Sequence, residues 1–201
     1  MFRMAMVAAA VTLAAGAASA QAPAAPSVVR GTVTAMDASS LTVKGEKGGV
    51  TKVALTPNWS VAVMKPVTPD AIQPGSFIGT AEMPQKDGTG RSLEVHVFPP
   101  GVKMGEGHYG WDLRKGSMMT NGTVGTVVAG KRGSRELDVS YSYGKRHITV
   151  PANVPVVQIT PGRRDQIKPG VPVFLVVQKR PDGTTMAGGV SIGENGARPP
   201  M

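Results

Sequence analysis

The chain has no cysteine. That single absence removes disulfides, thiolate metal sites and cysteine nucleophiles. Aromatic residues are scarce, at 4% of the chain, so Val, Leu and Ile must fill any interior. Acidic residues are outnumbered: 13 Asp and Glu stand against 22 Lys and Arg, for a net charge of +9. Beyond residue 20 no run is apolar enough to cross a bilayer. No helical periodicity extends past a single turn there. Catalytic patterns are missing too. No serine sits in a nucleophile elbow, and no His-x-x-x-His pair or paired metal carboxylates occur. The expectation is a protein that is not an enzyme.

The start of the chain reads as a sorting signal. Arg3 supplies a positive charge, Ala5 to Ala18 is an apolar run broken by Thr12 and Gly16, and Ala18-Ser19-Ala20 is a small-x-small cleavage site. Residues 1–20 are therefore expected to be a cleaved signal peptide. The mature protein would be periplasmic or secreted, with no transmembrane segment left. Residues 21–27, Gln-Ala-Pro-Ala-Ala-Pro-Ser, read as a flexible tail. The Ala-rich leader looks bacterial, so the sequons at Asn58 and Asn121 are taken as chance.

What the chain does contain is itself, twice. At a shift of 95 residues Asn58 falls on Asn153, Val61 on Val156, Pro66 on Pro161 and Asp70 on Asp165. Pro74-Gly75 falls on Pro169-Gly170, and Asp87-Gly88-Thr89 on Asp182-Gly183-Thr184. Gly, Pro and Asp fix backbone geometry, so what recurs is a fold.

Within each copy, short Val- and Thr-rich runs alternate apolar with polar residues, the period of a strand. Copy one has them at Val28–Ala35, Leu41–Lys44, Thr51–Leu55, Ser60–Met64, Phe77–Met83 and Ser92–Phe98. Copy two has them at Gly122–Val128, Glu136–Tyr141, Arg146–Val150, Val154–Ile159, Val171–Gln178 and Met186–Ile192. Hairpin turns are expected at Asp87-Gly88 and Asp182-Gly183, and single helical turns near Asp70 and Asp165, with those aspartates as N-caps. The expected fold class is all-β: two tandem small OB-like antiparallel β-barrels of about six strands each, with one short helical turn per barrel. Their boundaries are residues 28–98 and 121–193, joined by residues 99–120 and followed by a tail at 194–201. The set Gly31-Thr32-Val33, Leu41-Thr42-Val43, Asp70-Ala71-Ile72-Gln73-Pro74-Gly75 and Asp87-Gly88 resembles a widespread family of bacterial extracytoplasmic domains of unknown function. Those are small OB-like β-barrels, and the resemblance implies architecture and location, with no catalytic residue.

The join, 99–120, has no evident counterpart in either copy. Its Gly105-x-Gly107-x-x-Gly110 matches a dinucleotide fingerprint, but Pro99-Pro100 precede it and no helix follows, so that reading fails. Met104, His108, Met118 and Met119 lie close together in it, and thioether sulfur with imidazole suits copper. Periplasmic copper and silver chaperones are similar in fold and use Met and His beside a Trp. Trp59 sits in a comparable part of copy one, although the chaperones' Trp-Pro-x-Met-x-Met pattern is absent. A copper-binding protein is thus the alternative reading.

The main reading follows the charge. Residues 21–98 hold seven basic and six acidic residues, whereas residues 121–201 hold eleven and five. An anion-binding patch could gather Lys131, Arg132, Arg135, Lys145, Arg146, Arg163, Arg164 and Lys168. His147, beside Lys145-Arg146, would then have its protonation disfavoured. His96, alternating with Val95 and Val97, would face away from the core. Export makes nucleic acid an unsuitable partner. The expected role is an exported, non-enzymatic binding or scaffolding protein of the bacterial cell envelope, engaging an envelope protein or an anionic polymer or lipid.

Overall fold

A computed structural model describes residues 26–201. The expected signal peptide and residues 21–25 of the tail lie outside the described residues. The described residues are all-β, with twelve strands in order: β1 (Ser27–Met36), β2 (Ser40–Lys44), β3 (Val50–Pro66), β4 (Phe77–Pro84), β5 (Gly90–Val97), β6 (Gly107–Gly110), β7 (Met118–Ala129), β8 (Arg135–Tyr141), β9 (Gly144–Val150), β10 (Val156–Pro161), β11 (Pro172–Lys179) and β12 (Thr185–Gly193). Single 3-10 turns at Pro69–Ala71 and Arg164–Gln166 precede β4 and β11. Their aspartates are not N-caps; Thr68 and Arg163 hold those positions. Asp70 and Asp165 lie inside the turns, because the proline or arginine before each already occupies the first turn position, and both carboxylates pair with arginines. The hairpin turns form around Gly88 and Gly183, at φ 83° and 84°, where a residue with a Cβ would be strained.

The runs Thr51–Leu55 and Ser60–Met64 fuse into one long strand, β3. Their copy-two counterparts stay separate as β9 and β10, with Pro151 and Pro155 between them. Residues 56–59 of β3 bulge out of its pairing with β12, where Ala187 meets Leu55 and Gly189 meets Ser60, so the strand bends there and its second half runs on past β2. It therefore carries the chain out of the first barrel.

That continuation decides the topology. Strands β1, β2, β3, β12 and β11 pair in a cycle and close a five-strand barrel. Strands β4, β5, β9, β8 and β7 pair in a second cycle. Each ring takes three strands from one copy and two from the other. The pairings thus correct the expectation that 28–98 and 121–193 each close on themselves: β4 and β5 are delivered across the seam, and β11 and β12 return.

The seam is β3 against β10, antiparallel, with Met64 opposite Ile159. Those two residues are 95 apart, the repeat shift, so the pairing is related to itself by a local two-fold. The same relation runs outward. Val190 beside Val61, where β12 meets β3, matches Val95 beside Val156, where β5 meets β10. The hydrogen bond from Val67 N to Val156 O, 2.9 Å, matches that from Gly162 N to Val61 O, 2.8 Å. Each ring has its own interior, one around Leu41, Val53 and Leu175, the other around Leu137, Ile148 and Val95. A third cluster at the seam joins Met64, Val157, Phe174 and Met201.

Part of the join does have a counterpart, contrary to the sequence reading. Val102 N donates to Pro99 O and Ala197 N to Glu194 O, with Gly101 at φ 79° and Gly196 at φ 77°. The tail is therefore the copy-two version of the segment that begins the join.

Because neither copy can complete a ring alone, a chain divided at the exposed Arg114–Lys115 turn should yield two fragments that each lack cooperative unfolding by circular dichroism. Mixed in equal amounts they should regain it. A fragment that melts cooperatively alone would contradict the exchange of strands.

Candidate functional site

Both rings have a mouth at the end where the hairpins at Gly88 and Gly183 lie, and the repeat relation allows the two to be compared position by position. In the second ring the mouth is polar. Thr80, Glu82, Ser92 and Thr120 point inward and are buried. Glu82 is fully buried and accepts a 2.7 Å hydrogen bond from Arg146 Nε at Oε1. Arg146 reaches on to the hairpin, donating to Gly88 O at 2.8 Å and Thr89 O at 3.1 Å. Glu82 Oε2 is buried with no partner among the described residues, and a methyl group at Gly90 would overlap it. Burial pushes the Glu82 carboxyl above its ordinary value, against the opposing pull of Arg146.

Strand β6, from the join, lies along β7 and caps this mouth. His108 Nδ1 sits 2.8 Å from Thr120 Oγ1 and 3.9 Å from Glu82 Oε1. Its ring stacks on Tyr141 at 6.2 Å. The Tyr143 hydroxyl accepts from His108 N at 2.6 Å and donates to His108 O at 3.0 Å, so one side chain grips the strap's backbone at both polar groups. Burial, then the Arg146 charge, pushes the imidazole below its ordinary value.

The first ring shows that none of this is needed to build a mouth. The residues equivalent to Thr80, Glu82 and Ser92 at the shift of 95 are Leu175, Val177 and Ala187, all buried. Arg146 corresponds to Thr51, and Thr120, through the register of β7 and β1 on their partners, to Val29. The polar mouth is thus filled by a linked set of side chains, whereas the apolar mouth has lost the large members.

A second buried polar set lies on the outer face of β5. Glu94 Oε1 accepts from Ala81 N at 2.8 Å, and Oε2 lies 3.1 Å from His96 Nδ1. His96 is 3% exposed, so it faces away from the ring interior, as alternation predicts, onto a packed surface. This outer face is the seam side, where Phe98 packs edge-on at 5.3 Å. Nothing in the sequence alternation distinguishes a covered outer face from an open one.

The structure separates the residues singled out from sequence. Met104 is 63% exposed, Met119 is 2% exposed and packs with Ala81 and Tyr109, and Met118 lies opposite Gly110. Met119 and His108 occupy opposite faces of the β6–β7 ladder, so the four proposed copper ligands do not converge. The basic residues split as well. Arg146 belongs to the polar mouth. Arg135 donates to Asp70 at 2.5 Å, and Arg163 to Asp165 at 2.8 Å. Arg164 lies 4.7 Å from the Trp59 ring centre and donates to Trp59 O at 2.7 Å. Lys145 and Lys168 are exposed and stand apart. Lys131 and Arg132 share one open depression with Arg91, which sequence reasoning did not select. His147 is hydrogen-bonded to Asp138 at 2.9 Å, which raises its affinity for a proton, the reverse of the sequence expectation. The cross-strand carboxylate outweighs its basic chain neighbours.

No family model matches the chain, and no curated protein or solved structure was found to match it.

Glu82→Ala would leave Arg146 partly buried without its carboxylate, and breaking a buried pair costs about 3–5 kcal/mol. The melting temperature should fall sharply. Glu82→Val with Arg146→Thr, the first ring's own residues, should recover more than half of that loss. Acidification gives a separate check. His108 is held neutral in the folded state, so its contribution is complete above the unfolded histidine value of 6.5 and declines as pH falls below it. Thermal melts between pH 7 and 5 should lose stability, and His108→Gln should flatten that slope. Glu82, shifted upward by burial, acts in the opposite sense: its protonation favours the folded state as pH falls toward its ordinary value of 4.5.

Proposed function

We propose that this chain is an exported, non-enzymatic binding protein of the bacterial cell envelope, and that it engages an anionic partner through Arg91, Lys131 and Arg132. The observation that carries this reading is the open depression these three cations share. Among the described residues none of the three is in an ion pair, while Arg135, Arg146 and Arg163 all are. The depression's carboxylate, Glu136, already accepts from Thr149 Oγ1 at 2.8 Å. Arg132 adopts φ 54° and ψ 37°, the left-handed region that costs a residue with a Cβ on the order of 1 kcal/mol. That conformation holds Lys131 and Arg132 at the tip of a tight turn.

Export follows from the leader and from the resemblance to extracytoplasmic barrels, and a membrane surface or an anionic wall polymer is the partner such a location supplies. Two copies of one small barrel, exchanging strands across a seam, would give a rigid platform for that surface.

Each cation near an anionic surface contributes about 1 kcal/mol, screened over a Debye length. Co-sedimentation with phosphatidylglycerol vesicles should therefore exceed that with phosphatidylcholine vesicles and weaken as salt rises from 50 to 300 mM. The Arg91→Glu, Lys131→Glu, Arg132→Glu variant should lose at least tenfold in affinity. Equal binding by this variant and the unaltered chain would remove the basis of the reading.

A further inference from the structure

The strap crosses the second ring with two unlike faces. On one, Tyr109, Trp111 and Leu113 alternate along the chain and pack with Ala81, Leu93 and Met119 on the outer side of the sheet. On the other, His108 reaches into the polar mouth, beside Thr120. The apolar face is indifferent to pH, and the mouth is not. Arg146 Nε already holds Glu82 Oε1 at 2.7 Å, and His108 Nδ1 stands 3.9 Å from that same oxygen. A proton on His108 would set a second cation beside one buried carboxylate that is already paired. No further carboxylate is at hand among the described residues: the other groups around the imidazole are the Thr120 hydroxyl and the phenols of Tyr141 and Tyr143. Glu94 and His96, on the outer side of β5, pair with each other. The first ring closes around Val177, Thr51 and Val29 with no extra strand along β1, so closure of a ring does not require β6.

We propose that the strap is an acid-released latch. Uncharged His108 holds β6 closed over the polar mouth, and protonated His108 lets β6 part from β7 while both rings stay intact. The sign follows from burial and the Arg146 charge, which push the imidazole below 6.5 while the latch is shut. Freed into water it returns toward that value, so the open form takes up the proton and gains as pH falls below 6.5. Opening bares Ala81 and Met119, which are 0% and 2% exposed under the closed strap. Acid thus exchanges a closed polar cap for an exposed apolar stripe. This latch is distinct from the basic depression around Arg132 and does not depend on it.

Amide exchange followed by NMR separates the latch from global unfolding. The reporters are Tyr109, paired with Met119, and Trp111, whose N–H donates to Ser117 O at 2.9 Å. At pH 5.5 both should open at least about tenfold more often than Leu137 and Ile148 in the ring interior, as a local event does. Between pH 7.5 and 5.5 their opening, corrected for intrinsic exchange, should rise at least about threefold, since one linked proton gives roughly tenfold per pH unit at most. His108→Gln, which cannot take up the proton, should abolish that rise. A second variant leaves His108 in place. Gly110 and Met118 face each other across the ladder, a Cβ at Gly110 meets nothing within 4 Å, and the chain has no cysteine of its own. Gly110→Cys with Met118→Cys, once oxidised, should slow Tyr109 and Trp111 to the pace of Leu137 and Ile148, and reduction should free them again. Strap amides that exchange no faster than ring amides would overturn the proposal. So would an opening that ignores pH in the unaltered chain, a pH response that survives in His108→Gln, or strap exchange that oxidation leaves unchanged.

Discussion

The pairing of β3 with β10 is the constraint from which the rest of the molecule follows. A bent antiparallel sheet must satisfy its edges, and a ring does so by closing. Here β3 does not end inside one ring. Its second half meets its own repeat counterpart, Met64 against Ile159, and the two strands continue into different rings. Once that contact is made, β4 and β5 lie where only the second ring can use them. The parallel pairings of β12 with β3 and of β5 with β9 then complete both cycles. The exchange leaves one long ladder in place of two separate shells, so the rings share a seam core around Met64, Val157 and Phe174.

Against that symmetric frame, departures from symmetry mark where the chain has been put to use. Both interiors are built from Val, Leu and Ile at matching positions. The mouths are not alike. One holds a buried carboxylate, guanidinium and imidazole, tied to a strap that only the join provides. The other holds small apolar residues beneath an overhanging tryptophan. Buried ion pairs rarely stabilise a fold more than apolar residues of similar volume would. Val177 and Thr51 show that the apolar solution was available in this very fold. The polar mouth is best understood as a fastening for the strap, since Arg146 binds the hairpin and Tyr143 binds the strap backbone. The strap in turn positions Trp111 over the first ring.

Much of the fold was legible from residue order. The strands, the Asp-Gly turns and the repeat all rest on local chemistry: alternation, proline placement and glycine at positive φ. The candidate sites were less legible because side-chain function depends on what faces a residue from elsewhere. The four Met and His residues of the join are near in sequence, yet strand pairing puts Met119 and His108 on opposite faces. Eight cations in the second half looked like one patch, yet Asp70, Glu82 and Asp165 each neutralise one of them. Arg91, which joins Lys131 and Arg132, comes from the other copy. His147 was misjudged by its chain neighbours, since its real partner is Asp138, while the cover over His96, Glu94 with Phe98, was not visible in alternation.

By itself the amino-acid order determined the all-β class, the position of most strands and turns, the absence of thiol chemistry and the excess of positive charge near the C-terminal end. Each of these is settled within a few residues along the chain. Only the tertiary structure decided which strands share a ring, which charges are cancelled and which mouth stays open. Those outcomes depend on contacts between segments up to 171 residues apart, as between Arg30 and Met201. A repeat is equally compatible with closing on itself or with exchanging strands, and the run of β3 past β2 selects between them only once it has found β10.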